Sequence, residues 1–181
     1  MIYTEITPNP ATLKFVTQKN LLRNGSADFD KPEAAEQSPL AKHVFQLAFV
    51  KAVFISGNFV SITKDAETAW ETAIPPIKKA ITAFLDTGQA AVLNDEEGQD
   101  EEAPEEDETI RRIKQLLEDN IRPAVAMDGG DVIFESFVDG VVRLKMQGAC
   151  SGCPSSAMTL KMGIEGMLTR MVPGVREVES V

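Results

Sequence analysis

The segment VIFESFVDGVVRLKMQGACSGCPSSAMTLKMGIEGML, residues 132–168, carries two strand patterns, a cysteine pair and a helix pattern in one run. Residues 132–138 and 141–147 are rich in β-branched and aromatic side chains. Asp139-Gly140 between them is the two-residue signal of a tight hairpin. Beyond the cysteines, Ala157, Leu160, Ile164, Met167/Leu168 and Met171 recur at three- and four-residue spacing, which predicts an amphipathic helix. Pro173-Gly174 then turns the chain into VREVESV, a last short strand.

Upstream, Ile110, Ile113, Leu116, Leu117 and Ile121 form a helical stripe that closes near Arg122-Pro123. Asp128-Gly129-Gly130-Asp131 reads as a turn with two residues able to take positive φ. The order helix, strand, strand, helix, strand predicts an α+β domain over 109–181. Its helices would pack on one face of a three-stranded mixed sheet.

Residues 94–108, NDEEGQDEEAPEEDE, hold ten acidic residues and no basic one. They account for the whole net charge of −10, because the remaining 18 Asp and Glu match the 18 Lys and Arg. Like charges in a row repel, and this run has no aliphatic side chain larger than Ala to bury. It reads as a disordered tether between two small domains, 1–93 and 109–181.

The first domain carries strand signals at 11–17, 50–56 and 58–63, the last two joined at Ser56-Gly57-Asn58. A helix starts at Ser38-Pro39 and leads into LAKHVFQLAF. A second helix, 67–85, has Trp70, Ile74, Ile77, Ile81 and Phe84/Leu85 on one face. Pro75-Pro76 predicts a break or kink in it, and Gly88 suits its C-terminus. The whole chain is therefore expected to be α+β in two layers, as two domains.

The totals exclude several functions. The acidity argues against sequence-independent binding to nucleic acid. No apolar run reaches the ~20 residues of a membrane span. The first residues, MIYTEITPNPATLKF, carry neither an export signal nor a transit character. A bacterial cytoplasm is the default expectation, with a mitochondrial matrix open to a processed precursor. Two cysteines cannot build a disulfide framework.

Cys150 and Cys153 are the only cysteines and stand between the second strand and the second helix of the C-terminal domain. Pro154 suits the first helical turn, so Cys153 is expected at or beside the N-cap. The positive helix end there lowers a thiol pKa and favours the thiolate, the form that ligates metal. Gly148 and Gly152 leave room beside the sulfurs.

Several readings follow. The pair can be two structural thiols, a redox dithiol of the disulfide oxidoreductase kind, or half of a metal or cluster site. Aromatic residues usual before a redox pair are replaced here by Gly148-Ala149. A tetrahedral zinc or a cluster takes four ligands. His43, the one histidine, stands in the other domain without Cys or His neighbours and reads as structural or surface. Six methionines, Met127, Met146, Met158, Met162, Met167 and Met171, read as core filler. A second copy of the chain remains the source of two more thiolates.

The stretches MDGGDV, GACSGCPSSAMTLKMGIEGML and VPGVREVESV resemble the NifU-like C-terminal domain of Nfu-type iron–sulfur cluster carriers. TEITPNPATLKF and SPLAKHVF resemble the N-terminal domain of the same proteins. The resemblance implies a carrier rather than an enzyme, with Cys150 and Cys153 as ligands. It implies a [4Fe–4S] cluster shared by two chains, with [2Fe–2S] as the variant, and a homodimer when cluster-bound. The partners implied are apo iron–sulfur clients and the assembly machinery, with neither nucleic acid nor membrane. It also implies that DGGD shapes the loop beside the cysteines without ligating, and that the N-terminal domain docks partners.

Overall fold

In the computed structural model, residues 1–93, 107–151 and 154–181 are described, with the side chains of 154–157 excepted. Residues 94–106 of the tether, Gly152 and Cys153, all singled out above, lie outside these residues. Contacts divide the chain into two compact units, one within Met1–Gln99 and one within Asp100–Val181.

The first unit is built on β1 (Tyr3–Ile6), β2 (Thr12–Val16), β3 (Ser26–Phe29), β4 (Val50–Ser56) and β5 (Phe59–Lys64). They form one sheet in the order β1-β2-β5-β4-β3, antiparallel at every pairing. Phe15, Val53, Ile55, Val60 and Ile62 point from the sheet into a core shared with two helices. Short α1 (Pro39–Val44) is capped by Ser38, whose hydroxyl accepts the Ala41 amide at 3.1 Å. Longer α2 (Trp70–Asp86) contributes Ala73, Ile77, Ile81 and Phe84.

α2 runs without a break through Pro75-Pro76, against the interruption their missing N–H groups predict. Burial of the Ile77–Ile81–Phe84 face outweighs the ladder bonds lost in its second turn. The helix starts three residues late, because Thr68 donates its amide to Asp65 at 2.8 Å and Ala69 stays extended. Gly88 takes φ +71 just past the end, as its position suggests. His43 is half-buried with its ring 6.3 Å from that of Phe84, which makes it a packing residue of this unit.

The second unit follows the expected order. α3 (Glu108–Leu116) is capped by Asp107, which accepts the Thr109 amide at 3.0 Å. Asp107 and Glu108, assigned above to the tether, thus begin the fold. The helix does not stop at Arg122-Pro123: a π turn, Leu117–Ile121, leads into α4 (Arg122–Met127). Here the Arg122 amide reaches back five residues to the Leu117 carbonyl. A proline ring clashes with the carbonyl four residues before it, and the wider turn relieves that clash while the helix continues.

β6 (Gly130–Val138) and β7 (Val141–Gly148) then pair antiparallel around Asp139-Gly140. Both turn residues have positive φ, +51 and +82, the twist a two-residue hairpin demands. α5 (Pro154–Met171) crosses over to β8 (Glu177–Ser180), which lies parallel to β7 in the order β6-β7-β8. Ile113, Leu117, Val125, Leu144, Ile164, Leu168 and Val178 close the core.

Candidate metal centre

β7 ends at Gly148, whose φ of +65 lies in the left-handed region that favours glycine, and the chain there turns sharply. The Gly148 carbonyl accepts both the amide of Ser151 at 3.2 Å and its hydroxyl at 2.9 Å. Ala149 donates its amide to the Gly129 carbonyl at 3.2 Å. This turn sets Cys150 against the start of β6, with only 4% of its surface exposed, and the thiol joins the core of the domain. Pro154 opens α5 as the motif predicts.

Gly130 is the residue that makes room. Its φ is ordinary, so its need for glycine is one of space. A Cβ there would lie 2.8 Å from the Cys150 sulfur and 2.6 Å from the Gln147 carbonyl oxygen. Of the two glycines in DGGD, only Gly129 takes positive φ, +80. The motif thus shapes the cysteine loop by two different means.

Next to Gly130, the Asp131 carboxylate is buried and held in a two-point grip. Arg122 donates Nε to Oδ1 and Nη2 to Oδ2, both at 2.8 Å. Oδ1 also accepts the Val132 amide at 2.8 Å. Hydrogen bonding to Asp131, and secondarily to Glu118, raises the Arg122 pKa above its ordinary value, so the guanidinium stays charged. Arg122 stands at the end of the π turn that Pro123 imposes. A chain of cause runs from that proline through Arg122 and Asp131 to the backbone that backs Cys150.

Sequence reasoning placed Cys150 at this junction but missed Arg122 and the spatial role of Gly130. An arginine preceding a mid-helix proline, nine residues before an aspartate between glycine and strand, was the available signal. The methionines correct a second expectation. Met146 is buried and Met167 packs against the core, but Met127, Met158, Met162 and Met171 are exposed. Among the described residues no group of three His, Cys, Asp or Glu gathers around a point fit for a metal ion.

With this geometry in view, the comparisons with known proteins are specific. Residues 113–179 match the NifU-like domain, and residues 2–88 match the Nfu/NifU N-terminal scaffold domain. The chain is 43% identical over 181 residues to the NFU1 iron-sulfur cluster scaffold homolog, mitochondrial, of Homo sapiens. That match covers 99% of this chain and 71% of the human protein. It is 44% identical over 183 residues to NifU-like protein 4, mitochondrial, of Arabidopsis thaliana, covering 98% and 65%. A NifU-like protein of Saccharomyces cerevisiae, solved by NMR, is similar at 27% identity and a TM-score of 0.47 over 52% of this chain and 85% of that one.

The two matched domains and the named relatives place this two-domain α+β chain in a class of scaffold proteins. The chain belongs to the Nfu family of iron–sulfur scaffold proteins. It spans 61 to 71% of the length of the relatives named NFU1 and NifU-like protein 4.

Proposed function

We propose that this chain carries an iron–sulfur cluster in cluster assembly, bound through Cys150 and Cys153 of each of two copies. The observation that carries the reading is the ligand count. A C-x-x-C pair sits between β7 and α5 of a NifU-like domain in a chain with no other cysteine and one histidine, His43, in the other domain. Four thiolates close a cluster site, so two chains supply what one lacks. The relatives named as iron–sulfur cluster scaffolds support the same cargo.

A [4Fe–4S] cluster is the favoured cargo and [2Fe–2S] the smaller variant. Delivery is ligand exchange without a change of electrons. A client thiolate forms an iron–sulfur bond as the bond to Cys150 or Cys153 breaks, and the departing cysteine leaves as thiolate. Loss of both ligands from one chain opens the homodimer. The domain before the tether has no cysteine and serves to dock clients or the assembly machinery.

The partners are proteins, and the net charge of −10 disfavours nucleic acid. Among the described residues no helix is long and apolar enough to cross a membrane. A reducing compartment, bacterial cytoplasm or mitochondrial matrix, keeps such thiols available.

Anaerobic reconstitution with iron and sulfide tests the reading. About two irons and two sulfides per chain, with a Mössbauer spectrum of one cubane and a dimer by light scattering, is the expected result. Cys150→Ala or Cys153→Ala should abolish stable loading while leaving the far-ultraviolet circular dichroism unchanged. A full cluster in either variant would overturn the ligand assignment. A colourless monomer that reduces insulin disulfides would favour the oxidoreductase reading instead.

A further inference from the structure

We infer that the outward face of α5, built from Met158, Met162, Gly163 and Gly166, is the surface on which two copies of this chain meet. The inference rests on the proposal that the cluster is shared by two copies, and it names where they touch. Met158 and Met162 stand one turn apart and are 67% and 68% exposed. Thr159, Gly163 and Gly166 are exposed with them, whereas the two charged residues from 158 to 166, Lys161 and Glu165, are half-buried. The Glu165 carboxylate is engaged by β8, where it accepts the Val178 amide at 3.0 Å.

The two glycines carry the argument furthest. Glycine is the poorest helix former after proline, so an interior helical glycine calls for a reason. Neither Gly163 nor Gly166 takes positive φ. A Cβ at either would meet nothing within 4 Å. Packing within the chain therefore gives no reason for them. Gly130, which has one, shows the contrast. Close approach of another helix does give a reason, because the side chains at the contact set how near two axes come.

The second copy is the occupant that fits. The cysteine pair lacks two ligands, and the chain enters α5 directly from it, at Pro154. Two pairs of thiolates on one cluster bring the first turns of two α5 helices together. A two-fold contact sets a surface against itself, and a charge close to the axis would face its own copy. A face of methionine and glycine without exposed charge suits self-pairing.

The test is Gly163→Ala/Gly166→Ala in the full chain, with Met158→Ser/Met162→Ser as a second variant. Alanine should raise the melting temperature of the cluster-free protein by several degrees, since it improves the helix. The same variant should weaken the cluster-loaded dimer by about tenfold in sedimentation equilibrium, because added methyls overpack the contact. The serine variant should also weaken the dimer, at unchanged melting temperature. If wild type takes up a cluster as a dimer and both variants dimerise equally well, the face is not the contact and the inference fails alone. A variant that keeps its dimer but slows transfer to a client assigns the face to clients and overturns it too. If wild type loads no shared cluster, the underlying reading fails instead.

Discussion

The backbone of Gly130 passes so close to Cys150 that a methyl group in its place would lie 2.8 Å from the sulfur. That methyl would also press on the Gln147 carbonyl at 2.6 Å, which is backbone and cannot rotate away. The two residues meet at one end of the ladder, since Gly130 pairs with Gly148, two positions before Cys150. The seat of the thiol is therefore part of the sheet itself. Gly130→Ala is expected to destabilise the C-terminal domain by about 1–3 kcal/mol as an overpacked site. It should also reduce cluster retention by displacing Cys150. Urea unfolding and the iron content after gel filtration measure the two effects. Wild-type values for both would mean that the loop relaxes freely.

Arg122 and Asp131 form the support behind that seat. The aspartate side chain is 5% exposed and the arginine side chain 27%. Arg122→Met leaves a buried carboxylate without its partner, an error worth about 3–5 kcal/mol in a fully buried pair. Partial exposure of the arginine lowers the expectation here to roughly 2–3 kcal/mol. Replacing both, as Arg122→Met/Asp131→Leu, should recover part of the loss, because no charge is stranded. Chemical denaturation of the three proteins settles the point; a double variant as unstable as the single one contradicts it.

In the N-terminal domain Ser38 is fully buried and serves two partners. Its hydroxyl accepts the Ala41 amide and donates to the Ala91 carbonyl at 2.7 Å, tying the start of α1 to the chain beyond α2. Ser38→Ala removes both bonds and is expected to lower stability by about 1–2 kcal/mol. Ser38→Thr should retain most of it if the added methyl fits. A thermal shift below 1 °C for the alanine variant would show the cap to be redundant.

The sequence made some of this legible and hid the rest for physical reasons. Asp139-Gly140 announced its hairpin because two consecutive left-handed residues need that chemistry. The stripe through Ile164 and Leu168 announced α5 because its period matches a buried helical face. The edge strands β1 and β3, four residues each, passed unseen, since exposed short strands carry little alternation. Pro123 and Pro75-Pro76 read as stops because propensity is local, whereas the buried faces around them are not. The methionines misled because helical spacing alone cannot tell an inward stripe from an outward one. At the site, Cys150 was visible by residue type, but its contact with Gly130 joins residues twenty apart and emerges only with the sheet.

Acid sensitivity offers a last check, on the turn that starts α2. The Asp65 carboxylate accepts the Thr68 amide at 2.8 Å. Its pKa falls below the ordinary 3.8, chiefly through hydrogen bonding to the Thr68 side chain and then to the Thr68 amide. A carboxylate depressed in the folded state stabilises the fold above its unfolded pKa. That contribution fades as pH drops through the ordinary value toward the folded one. Asp65→Asn keeps an acceptor oxygen and removes the charge. The stability difference between wild type and Asp65→Asn should therefore be constant from about pH 7 to about pH 5 and shrink as the pH falls through the ordinary carboxylate range toward the lower folded value. Urea midpoints of the N-terminal transition across that range report it. A difference that stays level to the acid end would remove Asp65 from the groups that make the domain acid-sensitive.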